Sequence, residues 1–111
     1  MKSYVPKKGD FVAVTFDPQS GHEQKGRHPA LVVSNTIFNE QAGLAMVCPV
    51  TTTDHRYPFH VAVTNDPHIN GFVMVEQIKS IDYKAHKTKF IGKASDNVLD
   101  MVLSILDACI F

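Results

Sequence analysis

Turn-forming residues interrupt the chain at short intervals as far as Lys93, and the runs between them are brief and rich in Val, Ile, Thr, Phe and Tyr. The stretch 96–110 holds no Gly or Pro. Such punctuation restricts the chain to several short strands followed by one helix. Residues 11–16 (FVAVTF) read as a first strand, ended by the turn sequence DPQSG. Residues 29–34 (PALVVS) are continuously apolar, too short for a helix and suited to a strand buried on both faces. One or two helical turns are expected over 35–41, with Asn35 as cap and Gly43 as terminator. Further strands are expected at 44–50, 59–64 and 72–75, with shorter candidates at 78–81 and 90–91.

Ser95 is a good N-cap, and Asp96 suits the positive end of a helix dipole, so a helix is expected over 96–110. Its apolar residues form two rows, Val98, Met101, Val102, Ile105 and Cys109 beside Leu99, Leu103, Leu106 and Ile110. An arc this wide exceeds what one face of a barrel covers, so the helix is expected also to touch a second copy, making a homodimer. The fold class is mainly β: five to seven short antiparallel strands in a strongly bent sheet or barrel, plus a C-terminal α-helix.

A length of 111 residues suits one domain, 1–111, with a single core. No apolar run approaches a membrane span of roughly 20 residues, and the start MKSYVPKKGD lacks the pattern of a signal peptide, so the expected location is the cytoplasm. Cys48 and Cys109 both stand in apolar surroundings and read as reduced, buried thiols. The formal charge is zero, yet five lysines and His86 crowd 79–93 against the single acid Asp82. By itself that reads as a solvated hairpin more than a phosphate-binding patch.

The loop 21–29, GHEQKGRHP, sets a carboxylate, two imidazoles, a guanidinium and an ammonium between two apolar strands. RNA cleavage without a metal needs a base for the 2'-hydroxyl proton, a cation for charge developing on phosphate, and an acid for the departing 5'-oxygen. This loop holds candidates for each, although a merely solvated loop fits its composition equally well. Hydroxyls at 51–53 can bind phosphate or cap a turn, the cap being commoner. In VEQIKSID, 75–82, a carboxylate and an amide interrupt an apolar strand, as a structural hydrogen-bond hub or as base-reading groups. The six histidines show no ligand spacing, so no metal and no cofactor are expected.

The run 9–34, with CPVTTT, YPFHV, GFVMVEQIKSID and the terminal helix, resembles the MazF/PemK (Kid) toxins of bacterial toxin–antitoxin systems. The resemblance spans nearly the whole chain. It implies an SH3-like barrel with a C-terminal helix, a homodimer, and sequence-specific cleavage of single-stranded mRNA to 2',3'-cyclic phosphate and 5'-hydroxyl ends. It also implies a cognate MazE/PemI-like antitoxin that occupies the RNA-binding surface, with operator DNA contacted only through that antitoxin. Catalytic candidates are His28, Arg27, Thr51 and Glu23, with Thr51 placed to bind or polarise phosphate. RNA-contact candidates are His22, Gln24, Thr52, Arg56, Tyr57, Glu76, Gln77 and Lys79, with Glu76 standing where members commonly carry Asp. Phe59 is a further stacking candidate, with core packing the preferred alternative.

The chain departs from the family at the arginine that directly precedes the strand proline: His28 stands there, and Arg27 is one residue earlier. Neighbouring strand positions face opposite ways. Three readings follow: His28 does the acid–base work with Arg27 reaching round, Gly26 lets the loop rearrange so that Arg27 takes the usual place, or activity is weak or lost. The first is favoured, because imidazole titrates near about 6.5 and guanidinium above about 12, and it predicts a rate that titrates near about pH 6 to 7. Two rivals stand beside the nuclease: a CcdB-like toxin that poisons gyrase without hydrolysis, and a catalytically lapsed RNA- or antitoxin-binding module.

Overall fold

A computed structural model describes residues 3–16 and 26–111. In them the chain runs β1 (Asp10–Phe16), β2 (Gly26–Val32), α1 (Thr36–Ala42), β3 (Leu44–Thr51), β4 (His60–Val63), β5 (Gly71–Met74), β6 (Lys79–Asp82), β7 (Lys89–Lys93) and α2 (Asp96–Ile110). A 3-10 turn, Val75–Gln77, joins β5 to β6. All pairings are antiparallel, in the order β4-β5-β3-β2-β1-β7 with β6 also on β3. β3 is the pivot: Leu44 to Val47 pair with β6, Val47 to Pro49 with β2, and Val50 and Thr51 with β5. The result is the mainly β, barrel-like sheet with a C-terminal helix that the strand pattern implied.

Alternation along the strands feeds two apolar layers. Phe11, Leu31, Cys48, Val50 and Val73 pack with Val98 and Val102 of α2, while Val12, Val14, Ala30, Val32, Val47, Ile81 and Tyr83 form the other layer. Ala30, Leu31 and Val32 are therefore buried whichever way they point, which explains the unbroken apolar run. Ser95 caps α2 as expected, its Oγ accepting from the Val98 N–H at 3.2 Å. Among the described residues no helix is long and apolar enough to cross a membrane.

Several local expectations are corrected. β2 begins at Gly26, so Pro29 lies within the strand, opposite Ala13. Asn35 occupies the cap position of α1 without a capping bond, and its Oδ1 accepts instead from Lys8 Nζ at 3.2 Å. The strands expected at 72–75 and 78–81 are present as β5 and β6, but Glu76 and Gln77 sit in the 3-10 turn Val75–Gln77 between them and not within a strand. Both cysteines are free, but only Cys48 is buried; Cys109 is exposed near the end of α2. The α2 arc is split: Val98 and Val102 are buried, whereas Met101 and Ile110 are each 57% exposed.

Candidate active site

β2 and β3 separate beyond the Ala30–Pro49 pair, because β3 turns away to pair with β5 while β2 continues on β1 alone. A proline fits this point, since the edge of Pro29 that faces away from β1 has no ladder to supply. The gap is a cavity of about 320 Å³ lined by His28, Pro29, Val50, Thr51, Thr52 and Asn70. His28 leans back along the strand, so that a Cβ placed on Gly26 would lie 3.8 Å from its Nε2.

Thr51 is also a wall of a second cavity of about 400 Å³, shared with His55, Tyr57, His60, Met74, Glu76 and Gln77. Its Oγ1 accepts from the Thr53 N–H at 3.2 Å, the turn-capping role, and the hydroxyl proton remains to be donated. Two close approaches fix its backbone. Thr51 pairs with Phe72, and a Cβ on Gly71 would sit 2.3 Å from the Thr51 carbonyl oxygen.

In the second cavity His60 Nε2 lies 2.9 Å from Glu76 Oε2. The His60 side chain is only 6% exposed and that of Glu76 27%. The His60 ring is gripped edge to face by His55 and Tyr57, with centroids at 5.6 and 5.3 Å. His60 Nδ1 and Gln77 Oε1 are buried without hydrogen-bond partners among the described residues. Each such group costs about 1–3 kcal/mol, so groups of this kind call for an explanation beyond packing.

The candidates divide accordingly. His28, Thr51 and Thr52 share the first cavity, and Thr51, Tyr57, Glu76 and Gln77 the second. Arg27 lines neither: its guanidinium donates to Thr15 Oγ1 at 2.8 Å and to the Lys87 carbonyl at 2.9 Å. Arg27 is thus turned to its β1 partner and does not reach round to Thr51. Lys79 stands over the Phe16 ring, Nζ 4.9 Å from the centroid. Arg56 is exposed at a turn where the Asp54 carboxylate accepts its N–H, and lines neither cavity. His22, Glu23 and Gln24 lie outside the described residues. Phe59 is 36% exposed and packs edge to face on Tyr57 at 5.3 Å, so core packing does not claim it.

Sequence reasoning passed over His60, His55 and Asn70 as site residues. The one available signal was an ionisable residue opening the alternating run HVAV, and its partner Glu76 is sixteen positions away. Cys48 is no nucleophile: desolvation first, and the nearby Glu76 charge second, push its thiol up to about 12.

A family model described as PemK-like, MazF-like toxin of type II toxin–antitoxin systems matches residues 7–110. The chain belongs to the PemK/MazF toxin family. It is 39% identical over 112 residues to the endoribonuclease toxin ChpB of Escherichia coli (strain K12), covering 94% of this chain and 93% of that one. The fold superposes on a crystal structure of MazF from Deinococcus radiodurans with a TM-score of 0.90 and 36% identity, covering 96% of this chain and 97% of that one. It also superposes on a MazE–MazF complex from the same organism with a TM-score of 0.86 and 36% identity, covering 96% of each chain. In this PemK/MazF toxin the β1–β2 register sets Arg27 opposite Thr15 and His28 opposite Val14.

Proposed function

We propose that this chain is the endoribonuclease toxin of a toxin–antitoxin pair, cutting single-stranded mRNA at short sequence motifs without a metal. The observation that carries the reading is Thr51, a common wall between a cavity holding His28 and one holding Glu76. A phosphate at Thr51 has an imidazole on one side and a carboxylate on the other, the two proton-transfer groups that transesterification requires. The base takes the 2'-hydroxyl proton, the 2'-oxygen bonds to phosphorus, and the P–O5' bond breaks. His28, protonated, supplies the leaving oxygen's proton, leaving 2',3'-cyclic phosphate and 5'-hydroxyl ends. Thr51 and Thr52 hydroxyls bind phosphate oxygens, and Tyr57 offers a ring for base stacking beside Gln77.

The relatives support the partners as well. ChpB is named an endoribonuclease toxin, and the Deinococcus MazF is solved with MazE, so a cognate MazE-like antitoxin is assigned here. The uncovered residues Met101, Ile110 and Phe111 of the C-terminal region support a homodimer. Cytoplasmic mRNA is the assigned substrate. A gyrase-poisoning role gains nothing from the two cavities at Thr51.

The test is incubation of the purified protein with mixed RNA in EDTA, followed by end-group analysis. Cyclic-phosphate and 5'-hydroxyl ends are expected; intact RNA in the presence of stable antitoxin binding selects the lapsed module.

A further inference from the structure

We propose that His60 is a positioning residue for RNA cleavage, holding the Glu76 carboxylate beside Thr51 as the proton acceptor that works opposite His28. The inference rests on the ribonuclease reading and names a residue that neither the spacing of motifs nor the family resemblance brings forward.

The strand pairing sets the contact. β4 and β5 run antiparallel with His60 opposite Met74, so the chain leaving β5 through the 3-10 turn brings Glu76 back over the start of β4. The Val75 N–H donates to the Phe59 carbonyl at 3.2 Å, and the His60 N–H to the Tyr57 carbonyl at 3.0 Å. These two backbone bonds fix both ends of the His60–Glu76 contact before any side chain is considered. Edge contacts from His55 and Tyr57 then leave the imidazole one orientation, with Nε2 on Glu76 Oε2 at 2.9 Å.

That orientation has a chemical consequence. With Nε2 on the carboxylate, Nδ1 points away from Glu76 and is buried with no partner among the described residues. A histidine held for packing alone has no reason to bury an unpartnered ring nitrogen. A histidine retained to aim a carboxylate has one, because only Nε2 matters. Glu76 Oε2 is occupied by His60, which leaves Oε1 to accept a proton. In the reaction the 2'-hydroxyl proton passes to Glu76 Oε1, the new 2'-O–P bond forms as P–O5' breaks, and His28 protonates the 5'-oxygen. The proton is then returned from Glu76 to His28 through solvent. His60 gains and loses nothing; it holds the acceptor in line. A glutamate has one more rotatable bond than an aspartate, and the contact removes that freedom.

The test is a double-mutant cycle on single-turnover cleavage of an RNA that the wild-type protein cuts, with binding read separately on the same RNA carrying a 2'-deoxy sugar at the cleaved nucleotide. His60→Ala is expected to slow cleavage roughly 10- to 100-fold with binding within about twofold, and His60→Gln, whose amide can still donate to Glu76, to recover most of the rate. In a Glu76→Gln background, His60→Ala is expected to add almost nothing, since its target is gone. An equal loss from His60→Ala in both backgrounds, or a His60→Gln as slow as His60→Ala while both melt like the wild type, overturns the proposal and leaves the ribonuclease reading standing. A wild-type protein that cuts no RNA overturns both.

Discussion

The Arg27 guanidinium and the Thr15 hydroxyl are joined at 2.8 Å across the β1–β2 pair, and the same guanidinium donates to the Lys87 carbonyl at 2.9 Å. Arg27 therefore clips the start of β2 to β1 and to the turn before β7, while His28 lines the cavity with Thr51. Arg27→Ala is expected to remove two exposed hydrogen bonds, a loss of about 1 kcal/mol in stability, with a small effect on cleavage. His28→Ala is expected to lower the cleavage rate roughly 10²- to 10⁴-fold, the range for a lost proton-transfer group. Comparing the two variants by single-turnover kinetics checks this; a larger loss from Arg27→Ala would return the catalytic role to the arginine.

Gly71 is where backbone meets backbone beside the site. A Cβ there would stand 2.3 Å from the Thr51 oxygen and 3.1 Å from its carbonyl carbon, neither of which can swing aside as a flexible side chain would. Gly71→Ala is expected to destabilise the fold by at least about 2 kcal/mol and to displace Thr51 from both cavities. Denaturant unfolding reads the first effect. A fall in cleavage under conditions where the variant remains folded reads the second.

Most of the fold was legible because its signals are local. Alternating apolar residues, turn sequences and the Ser95 cap each act within a few positions, and β1, β3 and α2 lie close to where those signals put them. The site was only half legible. Thr51 and His28 stand in recognisable sequence contexts, but the separation of β2 from β3 depends on β3 switching partner from β2 to β5, which spacing does not encode. The His60–Glu76 contact depends on the β4–β5 register in the same way. Arg27 is a different case: the loop's composition made it a catalytic candidate, while the β1–β2 register, which spacing does not encode, sets its guanidinium on Thr15.

Asn39 ties three parts of the chain together from a fully buried position in α1. Its Nδ2 donates to the Pro6 carbonyl at 2.8 Å, its Oδ1 accepts from Ser34 Oγ, and its carbonyl accepts from Tyr83 OH at 2.9 Å. Asn39→Asp keeps the shape and replaces a donor with an acceptor facing the Pro6 carbonyl. The loss is expected to be about 3 kcal/mol or more at neutral pH. It should shrink as the pH falls, because protonating a buried, unpaired carboxylate removes its charge. Urea unfolding of the variant at two pH values measures both.

The two thiols should behave differently. Cys48 is fully buried and its thiol is pushed up to about 12, while Cys109 is exposed on α2. Since the thiolate is the reactive form, Cys109 is expected to take up an alkylating reagent well before Cys48, which should react only on unfolding. Peptide mass mapping after timed alkylation distinguishes them, and early modification of Cys48 would contradict the packing of β3. The same shift sets an alkaline limit. Folded Cys48 keeps its proton while the unfolded chain loses it above its ordinary value of 9.0, so the stability present below pH 9 is lost as pH rises from there toward about 12. The slope for one proton approaches about 1.4 kcal/mol per pH unit. Replacing Cys48 with Ala is expected to flatten that part of the profile while lowering stability at pH 7, because the substitution empties a position in the core beneath the site.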